Sequence, residues 1–296
     1  MANAINYAEK YQQELDQVLV QNMLTAPLET PNVNWMGAKT FHVPTVAVSG
    51  YKTHSRNGGF NRGDVTVTHE PYTLSFDRDI EFFVDRMDVD ESNQAASAAN
   101  ITRTFLVEHA APEVDAYRFS KLATKATATG NATAEAVDKA TVFSRLKADI
   151  LKVRKYGPTN LIAYLSSQAM DALEQSTEFT RNIDVKPAAP GGIDTRVTSL
   201  DGVQLVEVWD DSRFHTSFDF TSGFTPAVGS SPINWIIVAR PAVIAKVKLN
   251  SIYLFEPGQH TQGDGYLYQN RMYHDLFVLK NKEDGVVVSH GTTAQA

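Results

Sequence analysis

The residues most able to do chemistry are acids. Asp85, Asp88, Asp90 and Glu91 fall within seven residues, and carboxylate oxygens at that density are what a hard divalent cation takes as ligands. A metal-dependent hydrolase would use such a cluster to activate water. The glycine that an EF-hand loop requires is missing, and an acidic run more often forms a solvated face. His274-Asp275 has the types of an acid–base pair. Neighbours in a strand point to opposite faces, so one is expected inside and the other outside. His69-Glu70 opens like a zinc-protease motif, but Pro71 follows and no histidine stands at the required spacing. The 8 histidines are scattered, and with Cys 0 there is no thiol catalysis, disulfide or cysteine-held metal. No glycine-rich phosphate loop and no Gly-x-Ser-x-Gly elbow occurs. The expectation is a protein with no catalytic, cofactor-binding or metal residues, and not an enzyme.

The acids matter instead for where they lie. Between Asp77 and Glu91 stand Asp77, Asp79, Glu81, Asp85, Asp88, Asp90 and Glu91 against Arg78 and Arg86, a net −5 out of the chain's −7. The segment Tyr51–Gly63 carries Lys52, Arg56 and Arg62 and no acid. Such complementary patches fix register when they meet across an interface, so tip and acidic stretch are candidate contacts between copies. The overall negative balance argues against an affinity built on neutralising phosphates. The aromatics read as core, because basic residues do not interleave with them.

Elements must position these charges. Tyr7, Tyr11, Leu15, Val18, Leu19 and Met23 recur at helical spacing, and Pro27 and Pro31 end that helix. From Phe41 to Phe76 the period becomes two, in two arms around Gly58, Gly59 and Gly63. This predicts a long ribbon with a glycine-rich tip, which needs a surface to lie on. Ser92 opens a helix through Ala95, Ala98, Ile101, Phe105 and Leu106, and Pro112 should kink or break it before it resumes to Gly130. A helix follows over Val142–Val153, closed by Gly157-Pro158, then a strand at Leu161–Leu165 and a short helix capped by Ser167. Pro187, Pro190, Gly191 and Gly192 mark a loop. Strands are expected at Arg196–Ser199, Val203–Trp209, Trp235–Val238, Ala242–Leu249, Ser251–Phe255, Tyr266–Tyr268, His274–Leu279 and Val286–His290. The N-terminus lacks a signal-peptide pattern, and Arg240, Pro241 and Lys246 interrupt the most apolar stretch, Trp235–Val247, so a soluble product made in the cytoplasm is expected.

One stretch carries a family resemblance. Phe105-Leu-Val-Glu-His-Ala-Ala-Pro-Glu-Val-Asp-Ala-Tyr-Arg-Phe-Ser-Lys-Leu-Ala123 resembles the spine helix of tailed-phage major capsid proteins of the HK-97-type fold, as in phages of Gram-positive hosts. Tyr273-His-Asp-Leu-Phe-Val-Leu-Lys-Asn-Lys282 followed by Gly285-Val-Val-Val288 resembles that family's closing strands. The order of elements is similar along the whole chain.

The resemblance implies an α+β fold in five parts. Residues 1–40 would be an N-terminal arm, 41–83 the extended E-loop, 84–130 the peripheral (P) domain with its spine helix, and 131–232 a mixed axial (A) domain. Residues 233–296 would return to the P domain with a P-loop and C-terminal strands. It implies a major capsid protein that self-assembles through hexamers and pentamers into an icosahedral head enclosing double-stranded DNA. Partners would be other copies, portal and scaffold proteins, decoration proteins in some heads, and DNA only by weak non-specific contact, with no membrane. The protein would reside in the virion after synthesis in the host bacterial cytoplasm. An encapsulin-like compartment shell shares the fold and is the alternative from the same architecture.

Overall fold

The computed structural model describes residues 23–30, 35–36, 39–54, 58, 60–91, 98–176 and 198–292. All but the last residue of the expected N-terminal helix lies outside them, as do Arg56 and the Pro187–Gly192 loop. In chain order the first elements are β1 (Trp35–Met36), β2 (Thr40–Val48), β3 (Val65–Thr73), β4 (Phe76–Asp85), α1 (Arg86–Glu91), α2 (Ala98–Phe105) and α3 (Ala111–Ala128). There follow β5 (Ala132–Ala134), α4 (Val142–Val153), β6 (Leu161–Ser166), α5 (Ser167–Glu174), β7 (Ser199–Leu200) and β8 (Val203–Val208). The last are β9 (Phe218–Asp219), β10 (Thr225–Pro226), β11 (Ile233–Ala239), β12 (Val243–Phe255), β13 (Gly265–Val278) and β14 (Val286–His290). No helix among the described residues is long and apolar enough to cross a membrane.

The core is a six-stranded mixed sheet in the order β5-β14-β11-β6-β8-β7. Its central strands read as unbroken apolar runs because both faces are covered. Ile162 and Tyr164 of β6, Ile236 and Val238 of β11, and Val286 and Val288 of β14 pack on one side with Phe119, Leu122 and Ala126 of α3. Leu161, Ala163 and Leu165, Trp235 and Ile237, and Val287 face the other way, onto Leu146, Ile150 and Val153 of α4 and Leu173 of α5. The sheet therefore draws strands from both sides of the expected division at residue 232.

The spine differs from expectation at Pro112. Proline lacks an N–H and its ring crowds the carbonyl four residues back. The helix continues regardless, because Leu106–Ala110 forms a π-helical turn between α2 and α3, with the Ala111 N–H donating to the Leu106 carbonyl. A π-turn widens the ladder by one residue and so accommodates the ring where a kink or break was expected.

Two pairs of expected strands merge. β12 is one strand with a register shift between Val247 and Leu249, and β13 runs unbroken from Gly265. Asn250, Ser251 and Arg271 are poor strand formers by type, yet the β12–β13 ladder pairs Asn250 with Met272 and Ser251 with Arg271 and carries them. The cap of α5 is also one residue earlier than expected: Ser166 Oγ accepts from the Ala169 N–H at 3.2 Å, while Ser167 Oγ donates to the Val208 carbonyl at 3.1 Å. Asp201 and Gly202, both at positive φ (51° and 81°), make the two-residue turn between β7 and β8.

β4 ends by passing under Gly265. A Cβ there would lie 2.3 Å from the Val84 carbonyl oxygen, so only glycine fits.

Candidate assembly surfaces

β2 and β3 pair antiparallel over nine residues each, from Thr40↔Thr73 to Val48↔Val65. At about 3.3 Å per residue the ribbon extends roughly 30 Å. Its root is packed: Phe41, Leu74 and Tyr273 are buried together, with Tyr72 and Phe277 against them. Two hydrogen bonds lock the corner, from Tyr273 Oη to the Leu74 carbonyl at 2.7 Å and from the Leu74 N–H to the Lys39 carbonyl at 3.0 Å.

Beyond the root Lys280 reaches Glu70 at 3.2 Å, and from there outward the strand residues of the ribbon are exposed except for half-buried Thr45. Val46 pairs with Val67 and Val48 with Val65, and a period of two puts all four on one face. Each is more than half exposed. At the tip Tyr51 and Phe60 are fully exposed. Lys52 Nζ donates to the Arg62 carbonyl at 2.9 Å and Asn61 Nδ2 to the Thr53 carbonyl at 2.8 Å, which closes the tip around two exposed cations. A second apolar strip lies on β12, where Leu249, Ile252, Tyr253 and Leu254 are exposed.

The acidic stretch divides in two. Asp77, Asp79 and Glu81 stand at alternate positions of the edge strand β4 and are all exposed. β13 meets two of them: Arg271 forms a bidentate pair with Asp77 at 3.0 and 2.6 Å, and Gln269 Nε2 donates to Glu81 at 2.5 Å. The hydrogen bond and charge of Arg271 hold the Asp77 carboxyl below its usual range. Asp85 turns instead to the start of α1, where its Oδ1 accepts from the Met87 N–H at 2.8 Å. Asp88 is half-buried, and the side chains of Asp90 and Glu91 lie outside the description. Among the described residues no group of three or more His, Asp or Glu side chains is arranged to hold a metal ion.

His274 and Asp275 are both buried, against the expectation of one in and one out. Tyr117 of α3 meets both side chains, and Ser75 at the β3–β4 corner closes over Asp275. The two do not act on each other. Asp275 accepts from the Ser75 N–H and hydroxyl at 2.9 and 3.0 Å and from Tyr117 Oη at 2.8 Å. His274 packs edge-on against Phe76 and Tyr117. Burial, with the nearby Arg118 charge, pulls its imidazole down to about 3. Burial and the Asp275 charge push the Tyr117 phenol well above its usual range.

The spine residues that carry the resemblance are the clamp of the subunit. Glu113 accepts from Arg78 Nε of β4 at 2.7 Å. Asp115 accepts from the Leu24 N–H at 2.8 Å, the Thr25 N–H at 3.0 Å and the Thr25 hydroxyl at 2.7 Å, and pairs with Arg213 at 3.2 Å. Tyr117 holds β13 through Asp275, and Arg118 reaches the Thr25 carbonyl at 3.2 Å and Glu29 at 2.8 Å. Asp115, Arg118 and Arg213 are 0% exposed. Burial pushes the Asp115 carboxyl up, while its hydrogen bonds and Arg213 pull it back. One turn and a half of helix thus ties together the N-terminal segment, β4 and β13. The signal for this was present in the sequence: Asp115 and Arg118 occupy the same helical stripe as Phe119, Leu122 and Ala126.

A cleft of about 630 Å³ opens between β4, β13, the π-turn and the loop ahead of β10. Phe82, Phe105 and Phe224 are among its walls.

No protein-family model matches the chain, and no curated protein matches it by sequence. Solved structures do. The asymmetric unit of the bacteriophage PhiM1 mature capsid matches with a TM-score of 0.68 at 12% identity, over 98% of this chain and 93% of that one. The capsid structure of the cyanophage P-SCSP1u matches with a TM-score of 0.67 at 12% identity, over 97% and 94%. A structure from Mycobacterium phage Che8 matches with a TM-score of 0.66 at 15% identity, over 96% and 97%. At such identities a likeness speaks for the fold, and it extends from end to end of both chains: this chain has the α+β, HK-97-type fold of phage capsid structures.

Proposed function

We propose that the chain is the major capsid protein of a tailed bacteriophage, assembling through hexamers and pentamers into an icosahedral head around double-stranded DNA. The observation that carries this is the ribbon. About 30 Å of β-structure with a four-valine face leaves its own subunit uncovered, and a lone ribbon is marginal in water. An apolar face of this kind marks a surface made for a partner. In a shell of identical copies the ribbon lies on a neighbour's P domain, where exposed Leu249, Ile252, Tyr253 and Leu254 supply apolar area. Stable contacts need about 800 Å² per partner, which arms and ribbons add beyond the compact body.

In this reading residues 1–40 form the arm, 41–83 the E-loop, 84–130 and 233–296 the P domain and 131–232 the A domain, with β11 and β14 lending two strands to the sheet they share. The chain has no catalytic step. Its partners are other copies, portal, scaffold and decoration proteins, and DNA only loosely, since a net charge of −7 does not favour a tight grip on phosphates. It is made in the host cytoplasm and ends in the virion. Lys52, Arg56 and Arg62 face the acidic stretch of a neighbouring copy.

Electron microscopy and light scattering of the purified chain, with and without its scaffold, test the reading. Shells or capsomers are expected. A monomer near 33 kDa under every assembly condition refutes it. Shells that hold protein cargo and never DNA would turn the reading to an encapsulin-like compartment.

A further inference from the structure

We propose that the cleft between β4, β13 and the π-turn is the socket for Phe60 of a second copy, so that the ribbon tip is anchored by one buried aromatic ring. The inference rests on the shell reading and names the contact that fixes its register.

Three observations carry it. First, the cleft is built for an aromatic group and is left incomplete by its own chain. Phe82 and Phe105 meet edge-to-face at 5.5 Å on one side, and Phe224 lines another. His274, 1% exposed, also lines it, with its Nδ1 lacking a hydrogen-bond partner among the described residues.

Second, the tip offers the matching group. Phe60 is 97% exposed at the end of a roughly 30 Å ribbon, with the His54 ring 6.3 Å away beside it. Aromatic residues anchored in desolvated pockets are the usual centres of binding energy at interfaces. The ribbon is rooted at Tyr72, Leu74 and Tyr273 and projects from there, so the ring meets another copy rather than its own cleft.

Third, the charges agree. The lining includes Asp79 and Glu108 as well as Arg78, whose charge Glu113 already meets at 2.7 Å. The tip presents Lys52 and Arg62 on either side of Phe60. Acid at the rim and base around the anchor set the direction of entry.

The absence of native cysteine makes the test clean. Asn61→Cys beside the anchor and Ser222→Cys at the cleft are combined, the protein is assembled, and a short bis-maleimide is added. Both sites are exposed, and because Asn61→Cys gives up the bond to the Thr53 carbonyl, the double variant is first checked for shell formation. A ladder of linked copies on a denaturing gel is expected, with none when Asn61→Cys is paired with exposed Leu151→Cys on α4. In parallel, Phe60→Ser is expected to raise the concentration needed for assembly by roughly tenfold or more, the scale of one buried aromatic ring, with Phe60→Trp restoring it. Shells without the ladder overturn the proposal while leaving the shell reading intact, and assign the cleft to scaffold or to the chain's own N-terminal residues. Normal assembly of Phe60→Ser overturns it too. Failure of the unmodified chain to assemble brings down both.

Discussion

Asp115→Asn isolates the clamp at the centre of the spine. The amide keeps the shape of the carboxylate and removes its charge. Oδ1 accepts from the Thr25 N–H and hydroxyl, and Oδ2 from the Leu24 N–H and Arg213. An amide has one acceptor oxygen, so whichever way it turns its NH₂ confronts donors on the other side. Arg213, 0% exposed, loses the carboxylate at 3.2 Å and keeps Asp210 at 3.4 Å. Removing one member of a buried pair costs about 3–5 kcal/mol, chiefly by stranding the other charge. Against a total stability of about 5–15 kcal/mol that is severe. Urea unfolding of the unassembled subunit, followed through buried Trp235, should show the unfolding free energy falling by that amount. Proteolysis near Thr25 should quicken, because Asp115 holds that backbone directly. Adding Arg213→Met to the same chain should recover part of the loss, since no charge is then stranded. A loss under about 1 kcal/mol, or strict additivity in the double variant, would show that Asp115 and Arg213 are not coupled as described.

Three further outcomes follow from the geometry. His274 takes a proton in the unfolded chain near pH 6.5 and in the fold only near about 3, so its contribution is complete above pH 6.5 and is lost as pH falls toward 3, at about 1.4 kcal/mol per pH unit; in His274→Phe the stability–pH curve between pH 6 and 4 should flatten by one proton's slope, and an unchanged curve counts against the burial argument. Gly265→Ala should cost about 1–3 kcal/mol in urea unfolding, because the new Cβ meets the Val84 carbonyl 2.3 Å away and backbone must move; a neutral result means β4 and β13 slide apart freely there. Val46→Thr with Val67→Thr should leave subunit stability within about 0.5 kcal/mol, as exposed positions do, yet weaken assembly measured by light scattering; equal effects on both would mean the face packs within the subunit.

How far the sequence discloses this structure depends on how local the cause is. The spine, the ribbon and the turn at Asp201-Gly202 follow from spacing and turn chemistry among near neighbours. Pro112 was read correctly as an obstacle, but its remedy, a π-turn just ahead of it, is a backbone adjustment that residue types do not announce. The merging of β12 and of β13 depends on each strand having the other beside it, 20 or so residues away in the chain. His274 and Asp275 depart from the expectation because alternation presumes a solvent face, and here the β3–β4 corner and the ribbon root pack on the side of Asp275. The clamp was the least legible part: Asp115 and Arg118 stand visibly in an apolar stripe, but their partners Thr25 and Arg213 lie about 90 residues to either side. The resemblance pointed at these residues without saying what they hold.

The corner at Leu74 and Ser75 gives the ribbon a mechanical property. There the chain passes from β3 to β4, pinned by Tyr273 and Asp275, while the outer ribbon, past the Lys280–Glu70 pair, is exposed. A lever roughly 30 Å long turned by about 10° at that fulcrum moves its end by about 5 Å. In the shell proposed above, such a turn would aim the tip without deforming the body, so copies of one polypeptide would meet neighbours set at different angles.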